Sequence, residues 1–192
     1  MKKLFFKFLG IGFAAILATC SDDEKSSKAT GYDPLKDYLT EAGLIPQDTL
    51  VDAGDYEFGI SFRAAVPGNI TAVVVKLPDN ETNIRVTIWD AETETVLRTE
   101  TVSTVKAHKE KTMSIDPLPL EADHDYMITF NSDDWYDFER EDGEPVVYPI
   151  EAGPISVLGY SYFTGVAQSF PDSPQDTYYA GNLSFLFKVL PD

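Results

Sequence analysis

The amino-acid sequence predicts an all-β fold, a β-sandwich with jelly-roll or Greek-key connections. From Phe58 onward, apolar residues alternate with polar or small ones, as they do in strands with one buried face. Pro, Gly, Asn and Asp residues separate these runs at short intervals, and helical periodicity is confined to one short segment. Two packed sheets would bury one face of every such strand. A closed barrel is the alternative that the same pattern allows.

Residues 1–19 have the layout of a secretory signal peptide. Lys2 and Lys3 precede an apolar stretch over 4–17, which is shorter than the roughly 20 apolar residues of a membrane-spanning helix. The run Leu17-Ala18-Thr19-Cys20 resembles the lipobox that lipoprotein signal peptidase cleaves. That resemblance implies cleavage before Cys20 and acylation of its sulfur and new amino group. The alternative is an ordinary signal peptide with a cysteine at this place by chance.

Residues 20–31 are predicted to be a flexible acidic tether that follows the lipidated cysteine, since they are polar and small. The run Ser21-Asp22-Asp23-Glu24 resembles the acidic tag that sends some Gram-negative lipoproteins to the outer face of the outer membrane. We therefore expect an outer-membrane lipoprotein exposed at the cell surface. The alternative is a merely solvated linker.

The strongly acidic composition restricts the partners. The chain has 15 Lys+Arg against 32 Asp+Glu, a formal net charge of −17. Nucleic acids and anionic headgroups bind through Lys and Arg, so this charge excludes them as partners. We expect contact with the membrane only through the lipid anchor. Neutral glycans, cations and surface proteins with basic patches remain as possible partners.

Residues 32–55 are predicted to form a short helix and a linker. Asp33 suits the N-cap, Pro34 suits the first turn, and Gly43 suits the end of the helix. Leu35 and Leu39 share one face, which we expect to dock on the domain that follows.

Residues 56–192 are predicted to form the sandwich domain. Pro67-Gly68-Asn69 and Pro78-Asp79-Asn80 are turns, and 90–93 is a hairpin connection. The predicted strands are, in chain order, 56–62, 70–77, 84–89, 96–102, 111–115, 125–131, 146–150, 155–163 and 183–189.

Several of these segments, taken in order, resemble an uncharacterised extracellular bacterial family, a domain of unknown function. The similar pieces are YEFGISF at 56–62, PGNITAV at 67–73, TIWDA at 87–91 with VL at 96–97, LEA at 120–122 with YMI at 126–128, and FPDS at 170–173. Members of the family lie beside carbohydrate-active and adhesive modules. The resemblance therefore implies a β-sandwich with an accessory role, and it supplies no catalytic residues.

No catalytic motif stands out, and we expect the protein not to be an enzyme. The chain has two histidines, His108 and His124, and lacks both Gly-x-Ser-x-Gly and His-Glu-x-x-His. Its single cysteine, Cys20, is assigned to lipid. Two carboxylates can hydrolyse a glycoside, but no feature of the sequence selects a pair.

The most unusual segment, 131–143, is acidic and aromatic. One hypothesis places a calcium ion on Asp133, Asp134, Asp137 and Glu139, because calcium prefers carboxylate oxygens. The alternative is a solvated loop whose aromatic residues pack on the core. No other cofactor is expected.

Aromatic residues near this segment and near the C-terminus suggest carbohydrate binding, because an aromatic ring stacks on a pyranose and carboxylates accept its hydroxyl hydrogens. The candidate ligand-binding residues are Trp135, Tyr136, Tyr148, Tyr178 and Tyr179. Packing in the core explains the same residues without a ligand. The function expected is a non-catalytic surface module that binds carbohydrate or assists glycan-handling machinery. The alternative is a structural or adhesive module that binds another protein through a sheet edge or an apolar patch.

Overall fold

The structure is a computed structural model that describes residues 31–191 as one helix and thirteen strands. The predicted signal peptide, Cys20 and residues 20–30 of the predicted tether lie outside the described residues. The elements are α1 (Leu35–Glu41), β1 (Leu44–Leu50), β2 (Tyr56–Ala64), β3 (Gly68–Val75), β4 (Glu81–Asp90), β5 (Thr95–Val105), β6 (Lys111–Leu120), β7 (Asp125–Ser132), β8 (Trp135–Arg140), β9 (Ile150–Ala152), β10 (Ile155–Thr164), β11 (Ser173–Gln175), β12 (Tyr178–Gly181) and β13 (Leu183–Val189).

The short helix is confirmed at the place that the sequence predicts. Asp33 Oδ1 accepts a hydrogen bond of 3.0 Å from the backbone N–H of Leu35, which satisfies one of the free donors at the helix start. Gly43 follows the helix with φ +68°, a conformation that glycine adopts without strain. The helix packs against β1 and β9 and buries Tyr38.

Three antiparallel sheets build the domain. The large sheet has the order β11-β10-β2-β7-β4-β5, with β9 beside β10. The β13 sheet has the order β13-β3-β6, and the β8 sheet has the order β1-β8-β12. The predicted all-β sandwich is confirmed, while the barrel alternative is wrong for residues 31–191, whose sheets remain open. Among residues 31–191, the helical segment is far shorter than a membrane-spanning helix requires.

The core lies between one face of the large sheet and the two smaller sheets. Phe58, Ile60 and Phe62 of β2 are all buried, as their alternation predicts. The ring of Phe62 lies 4.6 Å from that of Phe185 in the β13 sheet. The ring of Phe58 lies 5.0 Å from that of Trp135 in the β8 sheet. The two smaller sheets therefore cover different parts of the same strand.

The opposite face of β2 is also buried, although its polar residues suggest exposure to water. Glu57 is 0% exposed. Its carboxylate accepts hydrogen bonds of 2.6 Å from Thr129 Oγ1 and from Arg85 Nη2. Arg85 also donates to the backbone oxygen of Val166, in the chain segment after β10. Burial of the Glu57 carboxylate is tolerated because each of its two oxygens accepts a hydrogen bond.

The segment after β10 covers this face by close packing. Phe170 meets Trp89 edge to face, with ring centroids 5.7 Å apart. A side-chain carbon at Gly59 would lie 2.9 Å from Met127 Sδ and 3.1 Å from a carbon of Pro171. Only a glycine allows such an approach.

Two segments expected to be irregular are strands. Residues 44–50, in the expected linker, form β1, and 135–140, in the acidic loop, form β8. The two strands pair with each other, Leu50 opposite Trp135. Aromatic residues at 135, 136 and 138 fall on both faces of β8 and hide its alternation in the sequence. The strand expected at 146–150 is reduced to its last residue, which begins β9.

We expect Arg85→Ala to destabilise the fold strongly, because it leaves the buried Glu57 carboxylate without its cation. Removing one partner of a buried ion pair costs about 3–5 kcal/mol in the free energy of unfolding. Arg63→Ala is the control, since its pair with Asp125 is 43% and 32% exposed and is expected to contribute about 1 kcal/mol or less. Urea denaturation of both variants measures the difference. Equal losses of stability would contradict the assignment of a buried pair.

Candidate functional site

A concave cleft lies between the β8 sheet and one end of the large sheet. Its volume is about 250 Å³. We call it the aromatic cleft and define it by residues Tyr56, Phe58, Trp135, Asp137, Tyr162 and Tyr178, which line it. Its walls come from β1, β2, β8, β10 and β12, so it depends on packing between sheets rather than on one loop.

The strand geometry of β8 places its functional side chains. Trp135 and Asp137 are two residues apart, so both point to the face that lines the cleft. Ala180 of β12 lies opposite Asp137 in the register and also lines the cleft. Its small side chain leaves room in front of the carboxylate.

The aromatic rings of the cleft hold one another in place. The ring of Tyr56 lies 5.3 Å from that of Trp135 at an angle of 78°, and 5.9 Å from that of Tyr162 at 73°. Edge-to-face contacts of this kind are favourable for aromatic pairs. Tyr56, Trp135 and Tyr162 are each half-buried, so part of every ring remains open to the cleft.

Asp137 supplies a carboxylate beside these rings. Burial raises its pKa, and the nearby carboxylates of Glu139 and Asp48 raise it further. The backbone N–H of Phe138 donates to this carboxylate and opposes the rise. The carboxylate lines the cleft, where hydroxyls of a ligand could donate further hydrogen bonds to it. Burial, together with Tyr162 and Asp137, raises the pKa of Tyr178 to about 12, so this phenol stays neutral at physiological pH.

Of the five aromatic residues predicted to bind a ligand, the structure brings Trp135 and Tyr178 together in the cleft. Tyr136 points to the other face of β8. Its hydroxyl lies 2.9 Å from Nδ1 of His108, and Lys76 Nζ lies 5.1 Å from the centre of its ring. It is half-buried and lines a different hollow.

Tyr148 and Tyr179 belong to the packing around α1 rather than to the cleft. Tyr179 is 1% exposed, and its ring meets that of Tyr38 edge to face at 5.4 Å. The hydroxyls of Tyr148 and Tyr38 lie 2.7 Å apart. These two residues therefore pack on the core, which is the alternative to ligand binding given by the sequence.

Sequence reasoning missed Tyr56 and Tyr162 as site residues. Tyr56 shares the inner face of β2 with Phe58, and Tyr162 shares a face of β10 with the buried Tyr160. The signal was present in the alternation, since each tyrosine continues an apolar face beyond its last buried residue.

Two larger hollows lack this combination of groups. The residues that line one hollow, of about 450 Å³, include no aromatic side chain. The other, of about 350 Å³, presents Tyr136 and Phe138, of which Phe138 is 4% exposed. The aromatic cleft is therefore the strongest candidate site among these three hollows.

The four acids predicted to bind calcium do not form one group. Asp133 and Asp134 lie together with Glu81, each offering one oxygen within 4.8 Å of the others. Asp137 lines the aromatic cleft instead, and Glu139 is exposed on β8. The strand conformation of 135–140 separates the two pairs.

Comparison with known families gives one match. Residues 44–184 match the model of a family described as "Domain of unknown function (DUF4082)". The match begins at the first residue of β1 and ends within β13, so it includes every strand that lines the cleft. No curated protein matches the chain significantly. The predicted resemblance to a domain of unknown function is confirmed.

We expect the fluorescence of the two tryptophans to distinguish the cleft from the buried interior. Trp135 is half-buried in the cleft, whereas Trp89 is 4% exposed and donates a hydrogen bond to Thr129. The emission of Trp89→Phe should therefore be readily quenched by acrylamide, and that of Trp135→Phe should resist it. Stern–Volmer plots of both variants measure this. Weak quenching of Trp89→Phe, equal to that of Trp135→Phe, would show that Trp135 is not accessible from solvent.

Proposed function

The chain belongs to the DUF4082 family of domains of unknown function, and we propose that it is a non-catalytic module that binds neutral carbohydrate in the aromatic cleft. The observation that supports this proposal is the arrangement of three half-buried rings, Tyr56, Trp135 and Tyr162, around the carboxylate of Asp137. A pyranose presents an apolar C–H face and a rim of hydroxyls. The rings would stack on the first, and the carboxylate would accept hydrogens from the second.

The size of the cleft favours a small part of a glycan. Sites that enclose a drug-sized ligand measure about 300–1,000 Å³. The cleft, at about 250 Å³, is slightly smaller and suits one sugar ring. We therefore propose that it takes a terminal or side-chain sugar, while the rest of the glycan stays in solvent.

The charges around the cleft favour a neutral sugar over an acidic one. Asp137 lies close enough to Glu139 and Asp48 for their charges to raise its pKa. A carboxylated or sulfated sugar would add a further negative charge to this group. Neutral hydroxyls instead add hydrogen-bond donors to a half-buried carboxylate.

The arrangement also supports a role without catalysis. Glycoside hydrolysis requires two carboxylates that flank the scissile bond. Among the residues described as lining the cleft, Asp137 is the single acid. Neither histidine is among the residues that line the cleft. His108 is hydrogen-bonded to Tyr136, and His124 pairs with Asp90 and Glu92.

We further propose that lipid chains on Cys20 hold this domain at the outer face of the outer membrane. The support comes from the sequence alone, because Cys20 lies outside the described residues. Several acyl chains on one protein give stable anchoring. A module in this position would bring glycans to neighbouring glycan-handling machinery.

We expect Trp135→Ala to weaken carbohydrate binding by about tenfold or more, because it removes the largest ring of the cleft; a tenfold loss corresponds to about 1.4 kcal/mol. A glycan array identifies the sugar, and calorimetry measures the affinity of the variant. Tyr136→Ala is the matched control, since this residue follows Trp135 on the opposite face of β8 and should retain the affinity. Absence of any glycan binding, or equal losses in both variants, would remove the cleft as the site.

The alternative function, protein–protein interaction in a surface assembly, has its own supporting observation. β5 ends the large sheet and pairs with β4 on one side only within the described residues. Val96 and Leu97 of this strand are 46% and 41% exposed. An uncovered edge with apolar side chains can accept a strand from a partner.

We expect that a protein partner at this edge would be lost on Leu97→Lys, because a lysine on an edge strand opposes strand addition. Pull-down from an envelope extract, with free sugars as competitors, measures it. Release of the captured protein by sugar, or its retention by the Leu97→Lys variant, would favour the carbohydrate function.

A further inference from the structure

The connection between β7 and β8 is a tight turn held from two sides. Ser132 Oγ donates a hydrogen bond of 2.8 Å to the backbone oxygen of Asp134 and accepts one of 3.1 Å from its N–H. The chain before β2 adds two more bonds. Asp52 N–H donates to Asp134 Oδ1 at 2.8 Å, and Ala53 N–H donates to the backbone oxygen of Asp133 at 2.9 Å. These bonds fix the position of both aspartates.

Asp134 carries a buried carboxylate oxygen that has no partner. The residue is 1% exposed, and Oδ2 makes no hydrogen bond within the described structure. A buried anionic oxygen is unfavourable unless a donor or a cation compensates for its lost hydration. A positive group beside Asp134 would offset this cost, and the described side chains do not supply one.

Two further carboxylates lie at the same place. One oxygen each from Glu81, Asp133 and Asp134 lies within 4.8 Å of the others. None of the ion pairs formed within residues 31–191 involves any of the three. Burial, followed by the neighbouring acids, raises the pKa of both Glu81 and Asp134. The three side chains thus repel one another without a nearby positive side chain to offset the repulsion.

We propose that Glu81, Asp133 and Asp134 form a binding site for a divalent cation, and that the cation is calcium. A cation between the three carboxylates could be coordinated by the unpartnered oxygen of Asp134. It would also neutralise most of the charge of the three side chains. Water molecules and bidentate carboxylates would complete the six to eight oxygens that calcium takes.

The chemistry of the donors distinguishes calcium from other divalent cations. All three ligands are carboxylate oxygens, and the group contains no histidine or cysteine, which zinc and copper prefer. Magnesium demands a small octahedral shell and usually retains several waters with one or two carboxylates. Three carboxylates within reach of one ion suit the larger calcium ion better.

This site differs from the calcium site that the sequence suggests. It uses Asp133 and Asp134, but its third ligand, Glu81, comes from the start of β4 and not from β8. It lies outside the aromatic cleft, so it does not depend on carbohydrate binding. Trp135 directly follows Asp134, so this tryptophan lies beside the site.

We expect calcium to stabilise the full-length protein. Relative to a sample in EDTA, the Tm should rise by about 5–10 °C at a calcium concentration of about 100 times Kd, because the ion binds only the folded state. Terbium, which replaces calcium at oxygen sites, should show luminescence on excitation of tryptophan, and calcium should abolish that luminescence by competition. Magnesium at the same concentration should produce a smaller shift of Tm.

Two variants and one control test the ligands. Glu81→Gln and Asp133→Asn should each abolish the calcium-dependent shift of Tm and the terbium signal. Their Tm in EDTA should match or exceed that of the parent protein, because each removes a repulsive charge; this shows that they fold. Glu139→Gln removes an exposed carboxylate of β8 outside the site and should leave both signals unchanged.

Absence of both a calcium-dependent shift of Tm and terbium luminescence would overturn the proposal. Equal losses in Glu81→Gln and Glu139→Gln would overturn it as well, since they would show diffuse attraction of cations to an acidic surface. A magnesium effect equal to that of calcium would overturn the assignment to calcium.

Discussion

The burial of one face of β2 is the constraint on which the domain and its cleft depend. Phe62 packs under the β13 sheet and Phe58 under the β8 sheet, so one strand holds both smaller sheets against the large one. The next residue on this face, Tyr56, is half-buried because the dry layer ends there. Its ring meets Trp135 at this open end. The aromatic cleft is thus the uncovered end of the core, and its rings are rigid because they continue the core packing.

The opposite face of β2 constrains the same region through polar contacts. Asn131 Nδ2 donates hydrogen bonds of 3.0 Å to the backbone oxygens of Tyr56 and of Gly165, which follows β10. The ends of β2 and β10 are therefore tied together directly behind the cleft, where Tyr56 and Tyr162 lie. Burial raises the pKa of Glu57, and the bonds from Thr129 and Arg85 oppose that rise. Hydrogen bonds to both oxygens of Glu57 favour one arrangement of these strands over others.

The sequence predicts the fold better than the site for a physical reason. The alternation of Phe58, Ile60 and Phe62 reports which face of β2 is buried, and that is a local property of the chain. Which side chains meet across strands depends on register, and periodicity alone does not determine it. The alternation around Tyr162 indicates its face of β10, but only the register, which places Tyr162 opposite Phe58, brings it to the cleft. The position of Glu81 beside Asp133 and Asp134 also depends on how the strands pair, so the sequence pattern does not indicate it. Trp135 could be predicted because its own segment is unusual in composition.

The acidic segment 131–143 shows how strand geometry gives neighbouring carboxylates different roles. Asp134 precedes β8 and is fixed in a buried turn by the N–H of Asp52, and its carboxylate lies close to those of Glu81 and Asp133. Asp137 lies within β8, where the pleat directs it with Trp135 towards the aromatic rings. The first arrangement concentrates negative charge, which suits a cation. The second places a single carboxylate beside apolar ring faces, which suits a neutral molecule rich in hydroxyls. Three positions along one chain therefore separate two kinds of ligand chemistry, and Trp135, which follows Asp134 directly, lines the second of the two regions.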